Sequence, residues 1–411
     1  MRNPAWGKVS FFSAVLFLTL LADAILSYWI PNFLEGVYQN SAVAGLVISF
    51  SSLVGLLADL ILPQVVKRVT VRKLIIIALV IALVFTVNLY LATLWPFVFL
   101  TLLAMAIWGI YYELLGFAQH QFVADTIPLR LHSSAWGVLG VARSTAYFVG
   151  PLVGGGLLYR SLSLPLLAAG LLSLSALLLV KFSKSQYNRP VSFDAQAISL
   201  WSEMKKWRVL IVRVWPLIIM SVFLGLIDAF YWSVGAVWNQ KLSVIHPVGG
   251  FFLPMYTFPT LFVGFIVARM AVYKGKKRRA IRYWLWSAVV LSFLFVTPNV
   301  YWQVGVVFVS SFLLAFAYPL LEGAYSDVVG RMGGEKNHMI GLTNSSTSLS
   351  YIIGPALAGW IVNFSSERVA LSAIGWVSVL VALWLAIKTP KKIKMPQTKI
   401  ETWKEEVVPV K

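Results

Sequence analysis

The amino-acid sequence predicts an all-α polytopic membrane protein in which twelve transmembrane helices form two pseudo-symmetric six-helix bundles. Three observations support this fold class. The 411 residues are 59% hydrophobic and only 12% charged, which is far from the composition of soluble proteins. Apolar runs reach the roughly 20 residues that a helix needs to cross the hydrocarbon core. Two motifs also recur about half a chain apart, which indicates an internal duplication.

The apolar runs favour helices over a membrane β-barrel. Backbone donors and acceptors must be paired inside lipid, so only helices and closed barrels can span it. Barrel strands would alternate in polarity over about 10 residues, whereas these runs are apolar on every face. The chain is therefore expected to be helical throughout.

Two pairs of segments carry the duplication. Leu21–Ala24 (LADA) matches Leu226–Ala229 (LIDA) at a separation of 205 residues. Gly150–Gly155 (GPLVGG) matches Gly354–Gly359 (GPALAG) at a separation of 204 residues. Two matches at nearly one separation predict two related halves joined in the middle of the chain.

The predicted spans divide evenly between the halves. They are 9–33, 41–66, 72–94, 97–125, 133–159 and 162–181, then 211–239, 248–271, 280–298, 301–328, 337–363 and 367–388. The expected domains are an N-terminal bundle at 1–181, a cytoplasmic hinge at 182–210, a C-terminal bundle at 211–388 and a disordered tail at 389–411. Within the hinge, Ala195–Trp207 is typical of a short amphipathic helix, either on the inner membrane surface or solvated as a linker.

The net charge of +19 is distributed as a topology signal rather than as one nucleic-acid-binding face. If the connections alternate between the two sides, all but four of the 34 Lys and Arg fall on one side. The positive-inside rule then places the hinge and both termini on the cytoplasmic side. The protein is expected in the plasma (inner) membrane. The cationic connection Arg269–Arg282 is interpreted as a topology anchor, or else as a site for anionic lipid headgroups.

The first span imitates a secretory signal peptide. Ala22-Asp23-Ala24 follows an apolar run and has the form of a cleavage site. The apolar run continues to Ile30 at spanning length, and cleavage would remove one copy of the repeat. We therefore interpret this segment as a retained span.

Few ionisable side chains lie inside the spans, and each is costly there unless it faces a partner or a wet cavity. Asp23 and Asp228 fall near the middle of related spans, at the interface of the repeats where substrate and ion sites are usually built. A carboxyl group in surroundings of low dielectric binds a proton more readily than one in water. The pair is expected to bind protons or substrate, or else to make structural hydrogen bonds.

Glu113 and Arg143 are further candidates on adjacent spans. At 1.5 Å per residue both lie roughly 15–18 Å from the cytoplasmic boundary. They form either an ion pair that opens and closes during transport or a permanent structural pair. Glu322, nearer the inner surface, suits a cytoplasmic proton path or a helix-end network.

Aromatic and amide side chains on these spans are candidates for the wall of a substrate cavity. They are Tyr28, Trp29, Trp108, Tyr112, Tyr147, Tyr231, Trp232, Tyr325 and Asn344. Interface and packing roles also suit some of these positions. Small residues permit close helix approach and proline bends a span, so Gly150, Pro151, Gly154, Gly155, Gly354 and Pro355 are candidates for helix packing and gating.

These motifs resemble the major facilitator superfamily over essentially the whole chain. Gly55–Asp59 (GLLAD) is similar to the opening of the family's loop signature, although the later glycine is missing. By this resemblance Asp59 would help to latch the halves, and Asp125 and Asp327 join it as gating candidates at inner helix ends. Gly150–Gly155 is similar to the motif of proton-coupled exporters. Span four lacks the arginine that exporters of this family often carry there.

Together these features favour a proton-coupled secondary transporter that exports an amphipathic or aromatic compound by alternating access. Import of a sugar or another small metabolite is the alternative, and a non-transporting sensor is more remote. An enzyme is disfavoured because no carboxylates or metal ligands cluster at the membrane surface. We expect no catalytic residue, cofactor or metal, and as partners a small-molecule substrate, protons and the lipid bilayer around a monomer.

Overall fold

A computed structural model describes residues 4–65, 69–127, 132–182, 200–269, 275–329 and 336–390. Every regular element in these ranges is a helix, which confirms the predicted all-α class. The N-terminal half contains α1 (Pro4–Tyr38), α2 (Ser41–Val65), α3 (Val71–Leu94), α4 (Val98–Thr126), α5 (His132–Arg160) and α6 (Leu164–Phe182). These bounds lie within a few residues of the predicted spans.

The C-terminal half is less regular. It contains α7 (Leu200–Phe230), α8 (Ala236–Ile245), α9 (Phe252–Thr257), α10 (Thr260–Arg269), α11 (Lys276–Ser292), α12 (Val300–Val329), α13 (Lys336–Phe364) and α14 (Glu367–Lys388). A π-helical turn, Tyr231–Gly235, joins α7 to α8. Helices α9 and α10 together occupy the eighth predicted span, and the break between them coincides with Pro259, which has no N–H to continue a helix.

Eight helical segments among the described residues are long and apolar enough to cross a membrane. The other predicted spans correspond to α5, α9 with α10, α11 and α13. Helices α5 and α13 have 29 residues each, more than a crossing requires, but they are rich in glycine and serine. Such small side chains suit helix-to-helix contact rather than contact with lipid.

The first and fifth spans of each half pack closely through the repeated motifs. A Cβ atom placed on Gly150 of α5 would lie 2.3 Å from the Cβ of Ala24 on α1. In the second half, a Cβ on Gly354 of α13 would lie 2.5 Å from the Cβ of Ala229 on α7. The duplicated sequence therefore builds the same helix contact twice.

The two halves meet most tightly along α2 and α13. A Cβ on Gly45 would lie 2.0 Å from the Pro355 carbonyl oxygen, and one on Gly359 would lie 1.9 Å from that of Ser41. The Ser49 hydroxyl accepts a hydrogen bond of 3.2 Å from the backbone N–H of Ala356. These contacts lie where α2 begins and α13 approaches its end, which we call the far end of the bundle. The hinge end is the opposite one, where Phe182 and Leu200 lie.

Several predicted regions fall outside the described residues. They include most of the hinge (183–199), part of the cationic connection (270–274) and the tail from 391 onward. Residues 200–207 of the proposed amphipathic helix form the start of α7. The domain bounds remain predictions.

The packing predicts that Gly150→Ala destabilises the protein by about 1–3 kcal/mol, because the added methyl group overlaps Ala24 in a closed contact. Gly156→Ala on the same helix is the matched control, since nothing lies within 4 Å of its added Cβ. Thermal unfolding in detergent measures the stability of both variants relative to the parent protein. Equal stability of the two would contradict this description of the α1–α5 contact.

Candidate functional site

A central cavity of about 410 Å³ lies between the halves. Helices α1, α2, α4 and α5 line it from one side, and the seventh span, α9, α10, α12 and α13 from the other. Toward the hinge end, the lining residues Arg143 and Thr347 are exposed. The α2–α13 contact closes the far end, so the cavity opens toward the hinge end.

Asp23 lies at the cavity wall in the middle of α1, with only 3% of the residue exposed. The Trp108 indole donates to its Oδ1 at 2.9 Å, and the Tyr147 hydroxyl donates to its Oδ2 at 2.6 Å. Both carboxylate oxygens therefore have partners, as a polar group inside a membrane protein requires.

Asp228 occupies the related place in the C-terminal half and also lines the cavity. Tyr256 of α9 donates to its Oδ1 and Tyr351 of α13 donates to its Oδ2. Trp232, four residues later, also lines the cavity. Each half thus holds one carboxylate at the cavity wall whose two oxygens accept from aromatic side chains.

Tyr351 was missed by the sequence reasoning, although the repeat contains the signal. It follows Tyr147 by 204 residues, the same separation as the Gly-Pro motifs. Extending the motif three residues toward the N-terminus would have paired the two tyrosines and assigned one to each aspartate.

Glu113 and Arg143 both line the cavity. The Arg143 guanidinium donates to the Gln119 side chain of α4 at 2.9 Å, a partner that the sequence reasoning did not include. Glu113 lies against α2, where a Cβ on Gly55 would be 3.2 Å from its Oε1. Glu322 is exposed on α12 and is not among the lining residues.

Four predicted wall residues line the cavity, namely Trp108, Tyr112, Tyr147 and Trp232. Five others lie outside the lining: Tyr28, Trp29, Tyr231, Tyr325 and Asn344. Trp29 is buried against Phe33 and donates to the Leu162 carbonyl at 2.9 Å. Tyr231 stacks on Tyr256 with ring centroids 3.9 Å apart. Tyr325 is buried in the core of the second half, and Asn344 is exposed on α13.

The cavity wall contains polar residues that the sequence reasoning missed. Besides Tyr256 and Tyr351 they include Tyr318, Ser27, Ser51, Ser52, Ser144, Ser233, Ser311, Thr257, Thr260, Thr347 and Ser348. Tyrosine rings with many hydroxyl groups make the wall amphipathic, which suits a ligand that is partly aromatic and partly polar.

Tyr28 connects the two halves at the far end. Its hydroxyl donates to the Gln240 side-chain oxygen at 2.8 Å and accepts from the Asn239 amide at 2.9 Å, both on α8. Its side chain lies against Gly154 and Gly155, where added Cβ atoms would come within 3.3 Å of the ring and 3.4 Å of the hydroxyl oxygen. The two glycines therefore make room for a tyrosine that reaches into the other half. The side chains of the gating candidates Asp59, Asp125 and Asp327 lie outside the described part of the structure.

The chain matches the family model of the Major Facilitator Superfamily over residues 12–333. It is 23% identical over 282 residues to the quinolone resistance protein NorA of Staphylococcus aureus. The matched region covers 67% of this chain and 70% of that protein. It is 22% identical to multidrug resistance protein 1 of Bacillus subtilis, covering 92% and 96% of the two chains.

Solved structures share the fold over almost the whole chain. The human organic anion transporter MFSD10 superposes with a TM-score of 0.67 at 17% identity, covering 93% of this chain and 100% of that one. A POT family transporter in complex with a thioalcohol-conjugated peptide gives 0.74 at 10% identity, covering 93% and 96%. These similarities concern the fold alone.

The far-end contacts predict that Tyr28→Phe favours opening at that end by about tenfold, because Asn239 and Gln240 lose a buried partner. The chain has no cysteine, so Ile48→Cys at the cavity wall supplies a single reporter for a membrane-impermeant maleimide. Tyr38→Phe is the matched control, because its hydroxyl pairs with Thr101 inside one half at 2.6 Å. The labelling rate from the far side should rise for Tyr28→Phe and stay at the parent value for Tyr38→Phe.

Proposed function

The chain belongs to the major facilitator superfamily, and on that premise we propose that it exports an amphipathic or aromatic small molecule in exchange for protons. One observation carries the proposal. Two repeat-related carboxylates, Asp23 and Asp228, face one aromatic-walled cavity between two pseudo-symmetric halves. Such a cavity is where this architecture binds substrate and coupling ion when the halves rock against each other.

Proton coupling is supported by the surroundings of the carboxylates. A charged carboxylate far from bulk water is unfavourable, so a change in access to water changes its readiness to bind a proton. The lining charges within the described residues are Asp23, Glu113, Arg143 and Asp228. Proton binding and release would therefore change the net charge of the cavity as access alternates from one side to the other.

Export rather than import is supported by the relatives and by the cavity wall. The matched bacterial proteins are named for quinolone and multidrug resistance. The rings of Trp108, Tyr112, Trp232 and Tyr318 offer flat apolar surface next to hydroxyl groups, which suits compounds that combine a ring system with polar groups. We propose export on these grounds, with import of a polar metabolite as the outcome that would replace it.

We further propose that the hinge and both termini lie in the cytoplasm of the plasma membrane. The distribution of Lys and Arg supports this orientation, and the cationic connections would then face anionic headgroups. In that orientation the cavity opens to the cytoplasm, where an exporter collects its substrate. We propose that the monomer is the working unit, since one chain supplies both walls of the cavity.

The proposal predicts substrate-dependent proton movement in liposomes that contain the protein and a pH-sensitive dye. With an imposed proton gradient and a quinolone as the probe, the parent protein should move protons when the probe is present. Asp23→Asn and Asp228→Asn should each lower this flux at least about tenfold, because each removes a carboxylate that can be charged.

The control is Glu35→Gln, which neutralises a carboxylate on α1 outside the cavity lining and keeps an acceptor for Ser41. It should move protons at the parent rate. Probe transport without proton movement in the parent would exclude coupling to protons. Uptake of a sugar or nucleoside with the proton gradient, and none of the quinolone, would replace export by import.

A further inference from the structure

The two hydrogen-bond donors on Asp23 differ in what they can do when the carboxylate binds a proton. An indole N–H only donates, whereas a tyrosine hydroxyl both donates and accepts. Trp108 holds Oδ1 and Tyr147 holds Oδ2. A proton on Oδ1 would face the Trp108 N–H with no acceptor between them. A proton on Oδ2 can be accommodated, because the Tyr147 oxygen can accept it.

From this difference we propose that Asp23 takes its proton on Oδ2 and that Tyr147 transmits this event to the contact between the halves. The proposal rests on the proton-coupled function proposed above and names the residue that carries the coupling. When Oδ2 is protonated, the hydrogen bond reverses and the carboxyl O–H donates to the Tyr147 oxygen. The hydroxyl proton of Tyr147 must then turn toward another acceptor in the cavity, such as water or substrate.

Tyr147 is suited to this role because it also contacts the opposite half. Its backbone carbonyl accepts from the Thr257 hydroxyl of α9 at 3.3 Å. Its ring meets Trp232 edge to face, with centroids 5.2 Å apart and planes at 71°. The next residue, Phe148, places its ring 5.3 Å from that of Phe258. A reorientation at Tyr147 therefore acts directly on the surface along which the halves move.

Trp232 extends the connection to the second carboxylate. It lies on the π-helical turn Tyr231–Gly235, and such turns occur frequently at functional sites. It lies four residues after Asp228, and both side chains line the cavity. Asp23, Tyr147, Trp232 and Asp228 thus lie side by side along the cavity from one half to the other.

Other charged and titratable groups surround Asp23. Arg143 of α5 acts on it as a nearby cation, and Tyr111 and Tyr112 of α4 lie within its electrostatic reach. Glu113 and Asp228 share the same cavity. A change in pH can act on all the carboxylates, so the test must separate Tyr147 from a general effect of cavity charge.

The repeat supplies the control. Tyr351 makes the equivalent hydrogen bond to Asp228, whose other oxygen accepts from a second tyrosine, Tyr256. Either oxygen of Asp228 can therefore take a proton with reversal of a tyrosine bond. Tyr147→Phe and Tyr351→Phe delete the same group in related places. Tyr147→Phe leaves the Trp108 indole as the aromatic donor on Asp23, whereas Tyr351→Phe leaves a tyrosine on Asp228.

The experiment follows maleimide labelling of the single-cysteine protein carrying Ile48→Cys, in liposomes without substrate, from pH 5 to pH 9. Because a thiol reacts with maleimide as the thiolate, each rate is divided by the rate of Asp23→Asn carrying the same cysteine at the same pH. We expect this ratio to change severalfold with pH in the parent. Tyr147→Phe should retain less than about a third of the parent's change. Tyr351→Phe should retain most of it.

Other results would overturn the proposal. Equal effects of the two tyrosine variants would show that Tyr147 supports a carboxylate and does not transmit its protonation. A parent protein whose labelling rate, relative to that of Asp23→Asn, does not change with pH would remove the link between protonation of Asp23 and conformation. Neither result decides whether the protein couples substrate transport to protons, because the liposome flux assay measures that separately. Failure of this inference and failure of the proposed function can therefore be distinguished. Melting curves of both variants verify that they are folded.

Discussion

The close contact between the first and fifth spans of each half is the constraint on which the site depends. Gly150 lies directly against Ala24, and Gly354 against Ala229, so the backbones approach as closely as small residues permit. Each contact is next to an aspartate on one helix and one turn from a tyrosine on the other. The hydroxyl of that tyrosine therefore reaches the carboxylate across the helix contact.

A carboxylate in the middle of a membrane protein needs hydrogen-bond donors whose remaining surface is apolar. Tyrosine and tryptophan meet this need, since they place a ring in the apolar surroundings and one donor toward the oxygen. Asp23 and Asp228 use this solution with different donors. The difference matters chemically because a hydroxyl can reverse a hydrogen bond and an indole cannot.

Closure of the far end relies on backbone proximity together with a small set of polar contacts. Glycines allow the backbones of α2 and α13 to touch. Tyr28 of α1 packs against glycines of α5 and hydrogen-bonds to Asn239 and Gln240. Hydrogen bonds of this kind contribute about 1 kcal/mol each. The polar part of this closure therefore contributes only a few kcal/mol.

The sequence by itself determined the helical membrane class and pointed to the two aspartates and the Gly-Pro motifs, because long apolar runs and a repeat at one separation can be recognised without knowing how the helices pack. It did not determine which aromatic rings face the cavity. Tyr28 and Tyr231 are buried outside the cavity lining, whereas Tyr256 and Tyr318 line the cavity. Spans that are apolar on every face show no inner side, and each residue rotates the side chain by about 100°. The π-helical turn at Trp232 and the break at Pro259 further change the direction in which the following side chains point. Only the packing of the two halves therefore decided which side chains form the cavity wall.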